Sequence, residues 1–165
     1  MVELTISGLG MDSSNNSPVV LLKEKDGERV LPIWIGPSEA SAIAMEISGV
    51  KFKRPLTHDL FKQALLDLGV TMDSVVIYDL KDNTYFAKIH LSQEGKKIEL
   101  DARPSDSIAL ALRMKAPIRT TEKLLECASK IVPKTVSQQA EEYDPEVLRE
   151  TLRKMNPEDF GKFTL

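Results

Sequence analysis

The chain has 165 residues, of which 42% are hydrophobic and 28% are charged, with a formal net charge of −3. This composition is typical of a soluble globular domain, and no apolar run approaches the ~18 residues of a membrane span. The single cysteine excludes an internal disulfide and a cysteine-based zinc cluster, which favours the reducing cytoplasm. An acidic chain that acts on nucleic acid needs a local basic patch or a metal.

The first half of the chain alternates between strand and helix signals. The predicted elements are strands over about 2–9, 18–25 and 29–35 and helices over about 37–48 and 58–68. Asp26-Gly27 between apolar runs predicts a hairpin, and Pro37 suits the first turn of a helix that Gly49 closes. Thr57 is the expected N-cap of the second helix. The apolar stripe of that helix comprises Leu60, Phe61, Ala64, Leu65 and Leu68.

The second half repeats this order before the chain changes character. The predicted elements are strands over about 73–80, 84–92 and 96–102, a helix over 104–115, an extended segment over 116–118 and a short helix over 121–130. After Pro133 the sequence becomes polar, and a narrow apolar stripe follows Asp144. We therefore expect a domain over residues 1–132, followed by a linker and C-terminal helical tail over 133–165.

Residues 16–46 align with residues 83–113 without a gap, at a shift of 67 residues. The matched positions include Asn16 with Asn83, Pro37-Ser38 with Pro104-Ser105, and Glu39 with Asp106. This alignment predicts a duplicated hairpin-strand-helix unit, over about 16–48 and 83–115. Hairpins with helices appended in blocks indicate an α+β fold rather than a parallel α/β sheet.

The strongest candidate for chemistry is the segment Asp101-Ala-Arg-Pro-Ser-Asp106-Ser, which runs from a strand into a helix start. Unpaired backbone N–H groups and the helix dipole favour an anion at such a place. The segment supplies three phosphate-binding candidates, Arg103, Ser105 and Ser107. Asp101 and Asp106 could hold Mg²⁺ or Mn²⁺ through oxygen ligands, and the metal would activate water.

The strand before this helix separates two sets of side chains. Its apolar residues Ile98, Leu100 and Ala102 are expected to face the core. Asp101 and Arg103 would then share the other face. In the first repeat, Trp34 and Gly36 stand at these two positions, so the Asp101/Arg103 pair is special to the second repeat. The structural alternative is that Asp106 serves the first helical turn and Arg103 is a strut between carboxylates.

Two further segments contain candidate residues. The segment Arg54-Pro-Leu-Thr-His-Asp59 ends a locally basic stretch and places His58 and Asp59 in a first helical turn. These two side chains could position water, donate a proton or bind a metal, and capping by Asp59 is the structural alternative. Lys81-Asp82-Asn83 predicts a turn, and Asp82 at a strand end could join a metal cluster.

Four segments in this order and spacing resemble the bifunctional nuclease (DNase/RNase) domain family. They are Leu31-Pro-Ile-Trp-Ile-Gly36, Arg54-Pro-Leu-Thr-His-Asp59, Leu80-Lys-Asp-Asn-Thr84 and Asp101-Ala-Arg-Pro-Ser-Asp106. The resemblance spans roughly residues 1–132, and the ending Asn-Pro-Glu-Asp-Phe-Gly-Lys-Phe163 is similar to tails of bacterial members. It implies cleavage of DNA and RNA, as attributed to plant members. It also implies a mixed, largely antiparallel α+β sheet with flanking helices and a homo-oligomer.

The leading hypothesis from the sequence is a metal-dependent nuclease of the cytoplasm, acting on RNA and DNA with no role for a membrane. The candidate catalytic residues are His58, Asp59, Asp101 and Asp106. The candidate substrate-binding residues are Arg54, Asn83, Arg103 and Ser105. The candidate ligands of Mg²⁺ or Mn²⁺ are Asp82, Asp101 and Asp106. The alternatives are a non-catalytic anion- or nucleotide-binding regulatory module and an adaptor that recruits a partner through its C-terminal helix.

Overall fold

The structure, a computed structural model, describes residues 1–12, 14 and 16–128. Its strands are β1 (Val2–Asp12), β2 (Ser17–Glu24), β3 (Val30–Trp34), β4 (Thr71–Lys81), β5 (Thr84–Gln93), β6 (Lys96–Ala102) and β7 (Ile118–Thr120). Its helices are α1 (Pro37–Ile47), α2 (Thr57–Asp67), α3 (Pro104–Met114) and α4 (Glu122–Ala128). Among the described residues, no helix is long and apolar enough to cross a membrane. The linker and tail predicted over 133–165 lie outside the described residues.

The strands form one sheet in the order β3-β2-β1-β7-β4-β5-β6. Neighbouring strands run antiparallel except β4 and β7, which are parallel. The predicted α+β fold, with a mixed and largely antiparallel sheet and flanking helices, is therefore confirmed. The order β1-β2-β3-α1, called the first unit below, recurs as β4-β5-β6-α3, the second unit. Strand β7 lies between the two units.

The core lies between the sheet and the helices. Apolar side chains at alternating strand positions enter it, among them Val20, Leu22, Val75, Ile77, Ile89 and Leu91. Helix α3 is buried over most of its length, because it packs on β4 and β5 while α1 and α2 contact its sides. Each large apolar side chain buried in this way contributes roughly 1.5–3 kcal/mol. The start of α3 is therefore held in a fixed position.

The predicted hairpin turns form in two different ways. Asp82 and Asn83 both have positive φ, 48° and 58°, which is the geometry of a two-residue type I′ hairpin turn. The predicted turn there is confirmed. The hairpin predicted at Asp26-Gly27 is also confirmed, because β2 and β3 pair antiparallel and the loop 25–29 joins them. Arg29 closes this loop by binding both carboxylate oxygens of Glu24, at 2.8 and 2.6 Å.

Helix α2 departs from the prediction at its start and on its apolar stripe. The N-cap is Leu56 rather than Thr57, which is already helical. Asp59 accepts a hydrogen bond from the Leu56 N–H at 3.0 Å through its side chain, as the capping alternative anticipated. Of the stripe, only Leu65 is buried, and Leu68 is 65% exposed. The helix packs against α3, but most of its apolar face is left uncovered.

Strand β6 also differs from the prediction. Ile98 and Leu100 were expected to face the core, and each is 36% exposed. The reason is the position of the strand: β6 is the last strand of the sheet and pairs only with β5 among the described residues. Alternation predicts which side of a strand a residue faces, but it does not predict whether a helix covers that side.

Candidate active site

A cleft of about 270 Å³ opens between the two units. From the first unit it is lined by Ile33, Trp34, Ile35, Gly36 and Glu39. From the second unit it is lined by Asn83, Thr84, Tyr85, Arg103, Pro104 and Ser105. This volume lies just below the ~300–1,000 Å³ typical of small-molecule pockets.

Two helix N-termini meet at this cleft. Helix α1 follows Gly36 and α3 follows Arg103; both preceding residues are extended, and neither caps its helix with a side chain. Each helix begins with proline, which has no N–H group to leave unpaired. The remaining first-turn N–H groups, together with two helix dipoles, favour negative charge nearby.

Arg103 supplies the cationic side chain at this place. Its Nη1 lies 3.0 Å from Oε1 of Glu39, and its Nε donates to Oδ2 of Asp106 at 2.7 Å. The hydrogen bond with Asp106 raises the pKa of Arg103, as does the charge of Glu39. The side chain is 67% exposed, so solvent screens both ion pairs, and each is worth about 0–1 kcal/mol. An incoming phosphate can therefore replace either carboxylate.

Neutral donors also line the cleft, among them Tyr85, Ser105 and Asn83. Burial raises the pKa of Tyr85 to about 12, so its hydroxyl stays protonated at neutral pH and can donate a hydrogen bond. Ser105 is buried in the first turn of α3, and Asn83 carries an amide in the β4–β5 turn. Together with the backbone N–H groups, these side chains match the acceptor oxygens of a phosphate.

Trp34 is one of the residues that line the cleft, and Asp12 holds its indole in place. Its Nε1–H donates to Oδ2 of Asp12 at 2.8 Å. The hydroxyl and backbone N–H of Ser14 also donate to Asp12, at 2.6 and 3.0 Å. The hydrogen bond from the Ser14 hydroxyl first, and then those from Trp34 and the Ser14 N–H, lower the pKa of Asp12. The carboxylate therefore fixes the indole, which packs against the small apolar cluster of Val19, Leu21 and Val30.

His58 and Asp59 face different partners, although they are adjacent in α2. Nε2 of His58 lies 3.3 Å from Oδ1 of Asp106. His58 therefore contacts the carboxylate oxygen of Asp106 that Arg103 does not bind. Oδ1 of Asp59 accepts from Nε of Arg113 at 2.7 Å. Burial alone would raise the pKa of Asp59, but the hydrogen bonds from Arg113 and Leu56 lower it further than burial raises it.

Arg113 is the centre of a structural cluster that the sequence analysis missed. Its side chain is only 3% exposed. Besides Asp59 in α2, it donates to the carbonyl oxygens of Ala109 at 2.9 Å and Ala42 at 3.2 Å. The cluster ties α1, α2 and α3 together. Through it, Asp59 positions the α2 helix that carries His58.

Arg54 and Ser107 lie outside the lining of the cleft, as do Asp82 and the four candidate catalytic residues, His58, Asp59, Asp101 and Asp106. Arg54 is exposed in the segment between α1 and α2. Ser107 is fully buried, and its hydroxyl donates to the Arg103 carbonyl at 2.9 Å. It therefore stabilises the first turn of α3, where no phosphate can reach it.

The predicted metal ligands are not gathered into one group. Asp82 occupies the hairpin turn, and Asp101 stands across the sheet from Lys88. Both oxygens of Asp106 already have partners, His58 and Arg103. Within the described part of the chain, no three His, Cys, Asp or Glu side chains are placed to hold a metal ion. Metal binding by Asp82, Asp101 and Asp106 therefore stays a prediction.

Comparison with known proteins identifies the family. A family model described as the bifunctional nuclease domain matches residues 20–133. The chain belongs to this family. The resemblance drawn from the four sequence segments is thereby confirmed, and the cleft is lined by residues from three of those segments.

The relatives differ in length. An uncharacterised protein of Mycobacterium tuberculosis (strain ATCC 25618 / H37Rv) is 40% identical over 164 residues, 97% of this chain and 98% of the relative. Bifunctional nuclease 1 of Arabidopsis thaliana is 30% identical over 111 residues, 65% of this chain and 34% of the relative. Bifunctional nuclease 1 of Oryza sativa subsp. japonica is 25% identical over 116 residues, 68% of this chain and 35% of the relative. The chain thus matches about a third of each plant protein.

Glu39, Tyr85 and Trp34 line the cleft of this bifunctional nuclease domain, yet the sequence analysis gave none of them a role in chemistry. For Glu39 a signal was available, because the repeat alignment places it on Asp106. Its ion pair with Arg103 links the equivalent helix starts of the two units. Tyr85 and Trp34 carried no such signal, since aromatic residues on strands most often pack in a core.

Proposed function

We propose that the protein is a nuclease that hydrolyses phosphodiester bonds of RNA and DNA at this cleft. Family membership supports nuclease activity, and the plant relatives are named bifunctional nucleases. The observation that carries the location is the meeting of two uncapped helix starts at the exposed guanidinium of Arg103.

In this proposal Arg103 and the first-turn N–H groups bind the non-bridging oxygens of the phosphate. Asn83, Ser105 and Tyr85 donate the remaining hydrogen bonds. Binding of the phosphate displaces Glu39 from Arg103, which frees its carboxylate to accept a proton from a water molecule.

The reaction is then an ordinary hydrolysis. The water oxygen attacks phosphorus, and the bond from phosphorus to the leaving oxygen breaks. The pair formed by His58 and Asp106 supplies the proton that the leaving oxygen takes up. Asp59 acts indirectly, because it holds α2 through Arg113. Arg54 contacts the nucleic acid outside the cleft, and Asp101 remains a catalytic candidate at the end of β6.

Divalent-metal dependence stays a prediction, with Asp82, Asp101 and Asp106 as its proposed ligands. Because the described side chains do not form a three-ligand group, none of the roles above depends on Mg²⁺ or Mn²⁺. We further propose that the protein is a bacterial, cytoplasmic hydrolase and that it forms a homo-oligomer.

A second candidate function is a non-catalytic module that binds a nucleotide or another phosphate-bearing anion. The observation that favours it is the chemistry of the cleft, whose cation, helix starts and hydroxyl donors are all suited to binding a phosphate. In this case the same residues hold the anion, but Glu39 and His58 transfer no proton.

Cleavage of labelled single-stranded RNA and DNA, with Mg²⁺, Mn²⁺ or EDTA, separates the two functions. The variants are Arg103→Met and Asp101→Asn, and Arg119→Met is the matched control, since Arg119 is exposed on β7 away from the cleft lining. Cleavage by wild type and control that is lost in Arg103→Met supports the nuclease. Equal cleavage by all preparations contradicts the site, and binding without cleavage favours the module. Loss in EDTA would support the metal prediction.

A further inference from the structure

Strand β6 forms one edge of the sheet, and this edge lies outside the lining of the cleft. Every residue from Lys96 to Asp101 is exposed. The strand pairs with β5 on one side, and no described strand pairs with its other side. An open edge of this length carries unpaired backbone N–H and C=O groups that can pair with another strand.

The sequence of β6 is complementary to itself. Backbone groups that point to the free edge come from alternate residues, so two identical antiparallel strands pair only in registers centred on a residue. The register that overlaps all seven residues of Lys96–Ala102 is centred on Glu99. It places Lys97 opposite Asp101 of the second copy, twice by symmetry. Opposite charges directly across a strand pair are stabilising.

We propose that two copies of this chain pair antiparallel through β6 about a two-fold axis at Glu99. The two sheets then continue into one another across a self-complementary interface. This pairing supplies the interface of the homo-oligomer proposed above. It does not depend on nuclease activity.

The apolar residues of the edge fit the same arrangement. In the register centred on Glu99, Ile98 lies opposite Leu100 of the second copy, and each is 36% exposed in the single chain. The apolar surface continues onto α2, because Nε2 of Gln93 donates to the Leu68 carbonyl at 2.8 Å. That bond holds the exposed Leu68 beside the β5–β6 hairpin. Pairing therefore removes apolar surface from water on the helix side of the sheet.

The charges near the axis are compatible with this pairing. The two Glu99 carboxylates face each other, but each is bound by Lys88 at 2.7 Å and lies 3.8 Å from Nδ1 of His90 in its own chain. Lys97 binds Asp73 at 3.1 Å and is exposed. Its ammonium group has three donors, so it can contact Asp101 of the second copy as well.

Light scattering of the full chain after size exclusion, over a concentration series, tests the interface. Wild type is expected to be dimeric or a multiple of dimers. Lys97→Glu and Asp101→Lys each place like charges opposite each other twice and should weaken association at least tenfold. The double variant Lys97→Glu/Asp101→Lys exchanges the charges and should restore association. Lys96→Glu is the matched control on the same strand, since Lys96 lies opposite Ala102 of the second copy.

Several results would overturn the proposal. They are a monomer at every concentration, a control that weakens association as much as Lys97→Glu, or a double variant that stays dissociated. Circular dichroism shows whether each variant is folded. If Lys97→Glu is unfolded, Leu100→Lys is measured instead and is expected to be monomeric. Because no substrate is used, failure of the interface and failure of the nuclease proposal are separate results.

Discussion

Replacing Glu39 with Gln should tighten the binding of nucleic acid, although the substitution removes a side chain from the cleft. In the structure Glu39 forms an ion pair with Arg103, with 3.0 Å between Oε1 of Glu39 and Nη1 of Arg103. A phosphate bound to Arg103 has to take the place of this carboxylate and then lies close to it. Glutamine keeps the size of the side chain and removes the charge.

The expected gain follows from the exposure of the site. Two unit charges about 4 Å apart interact with about 1 kcal/mol in a water-like medium, which corresponds to about fivefold in affinity. Arg103→Met has the opposite effect. Hydrogen bonds to a charged partner contribute about 1.5–3 kcal/mol, so binding should weaken roughly 10- to 150-fold. It should also lower the slope of log affinity against log salt by about 0.7 for a single strand.

Fluorescence anisotropy of a labelled, non-hydrolysable phosphorothioate oligonucleotide in EDTA measures both effects. Glu28→Gln is the matched control, because Glu28 is exposed and pairs with Lys23 on the β2–β3 hairpin, away from the cleft lining. Tighter binding by Glu39→Gln alone supports the reasoning. An equal change in both variants would mean that only net charge matters, and weaker binding by Glu39→Gln would mean that Glu39 is not displaced by phosphate.

Three further predictions concern stability and the cleft lining. Arg113→Met leaves Asp59 without its buried partner and should cost about 3 kcal/mol, or roughly 6–12 °C in Tm by calorimetry, whereas Arg119→Met should change little. Because the pKa values of Asp59 and Asp12 are lowered in the folded state, their contribution is present above the unfolded pKa of ~3.9 and is lost as pH falls through the folded values. Urea unfolding from pH 6 to 2.5 should therefore show a weaker acid dependence for Asp12→Asn than for wild type. Tyr85→Phe removes one neutral donor and should weaken oligonucleotide binding, measured by anisotropy, by a smaller factor than Arg103→Met. A larger loss of affinity in Tyr85→Phe than in Arg103→Met would contradict the proposed site.

The local features of the fold were predictable from the sequence because they depend on nearby residues. The turn at Asp82-Asn83, the proline at the start of α1 and of α3, and the glycine after α1 all act within a few positions. The exposure of Leu68 and Ile98 was not predictable in this way, because it depends on which helix lies over which strand. Periodicity gives a direction for a side chain, and the neighbours that cover it are distant in sequence.

The candidate site was predictable in part for the same reason. Arg103 and Ser105 were found because a helix start is visible in the sequence, and both line the cleft. Glu39, which pairs with Arg103, is 64 positions away from it in the sequence. Asp59 and Arg113, whose contact joins α2 to α3, are 54 positions apart. Distances between carboxylates from different elements, as in the metal prediction, cannot be obtained from spacing along one chain.

The measurement that tests the central claim most directly uses Trp34, the one tryptophan of the chain, as a reporter of the cleft. Its fluorescence is followed while a non-hydrolysable oligonucleotide is added to wild type and to Arg103→Met, with anisotropy recorded on the same samples. A saturable change in wild type that parallels the anisotropy and is lost in Arg103→Met is the predicted result. Binding seen by anisotropy with no change at Trp34 would place the nucleic acid elsewhere and contradict the proposed active site.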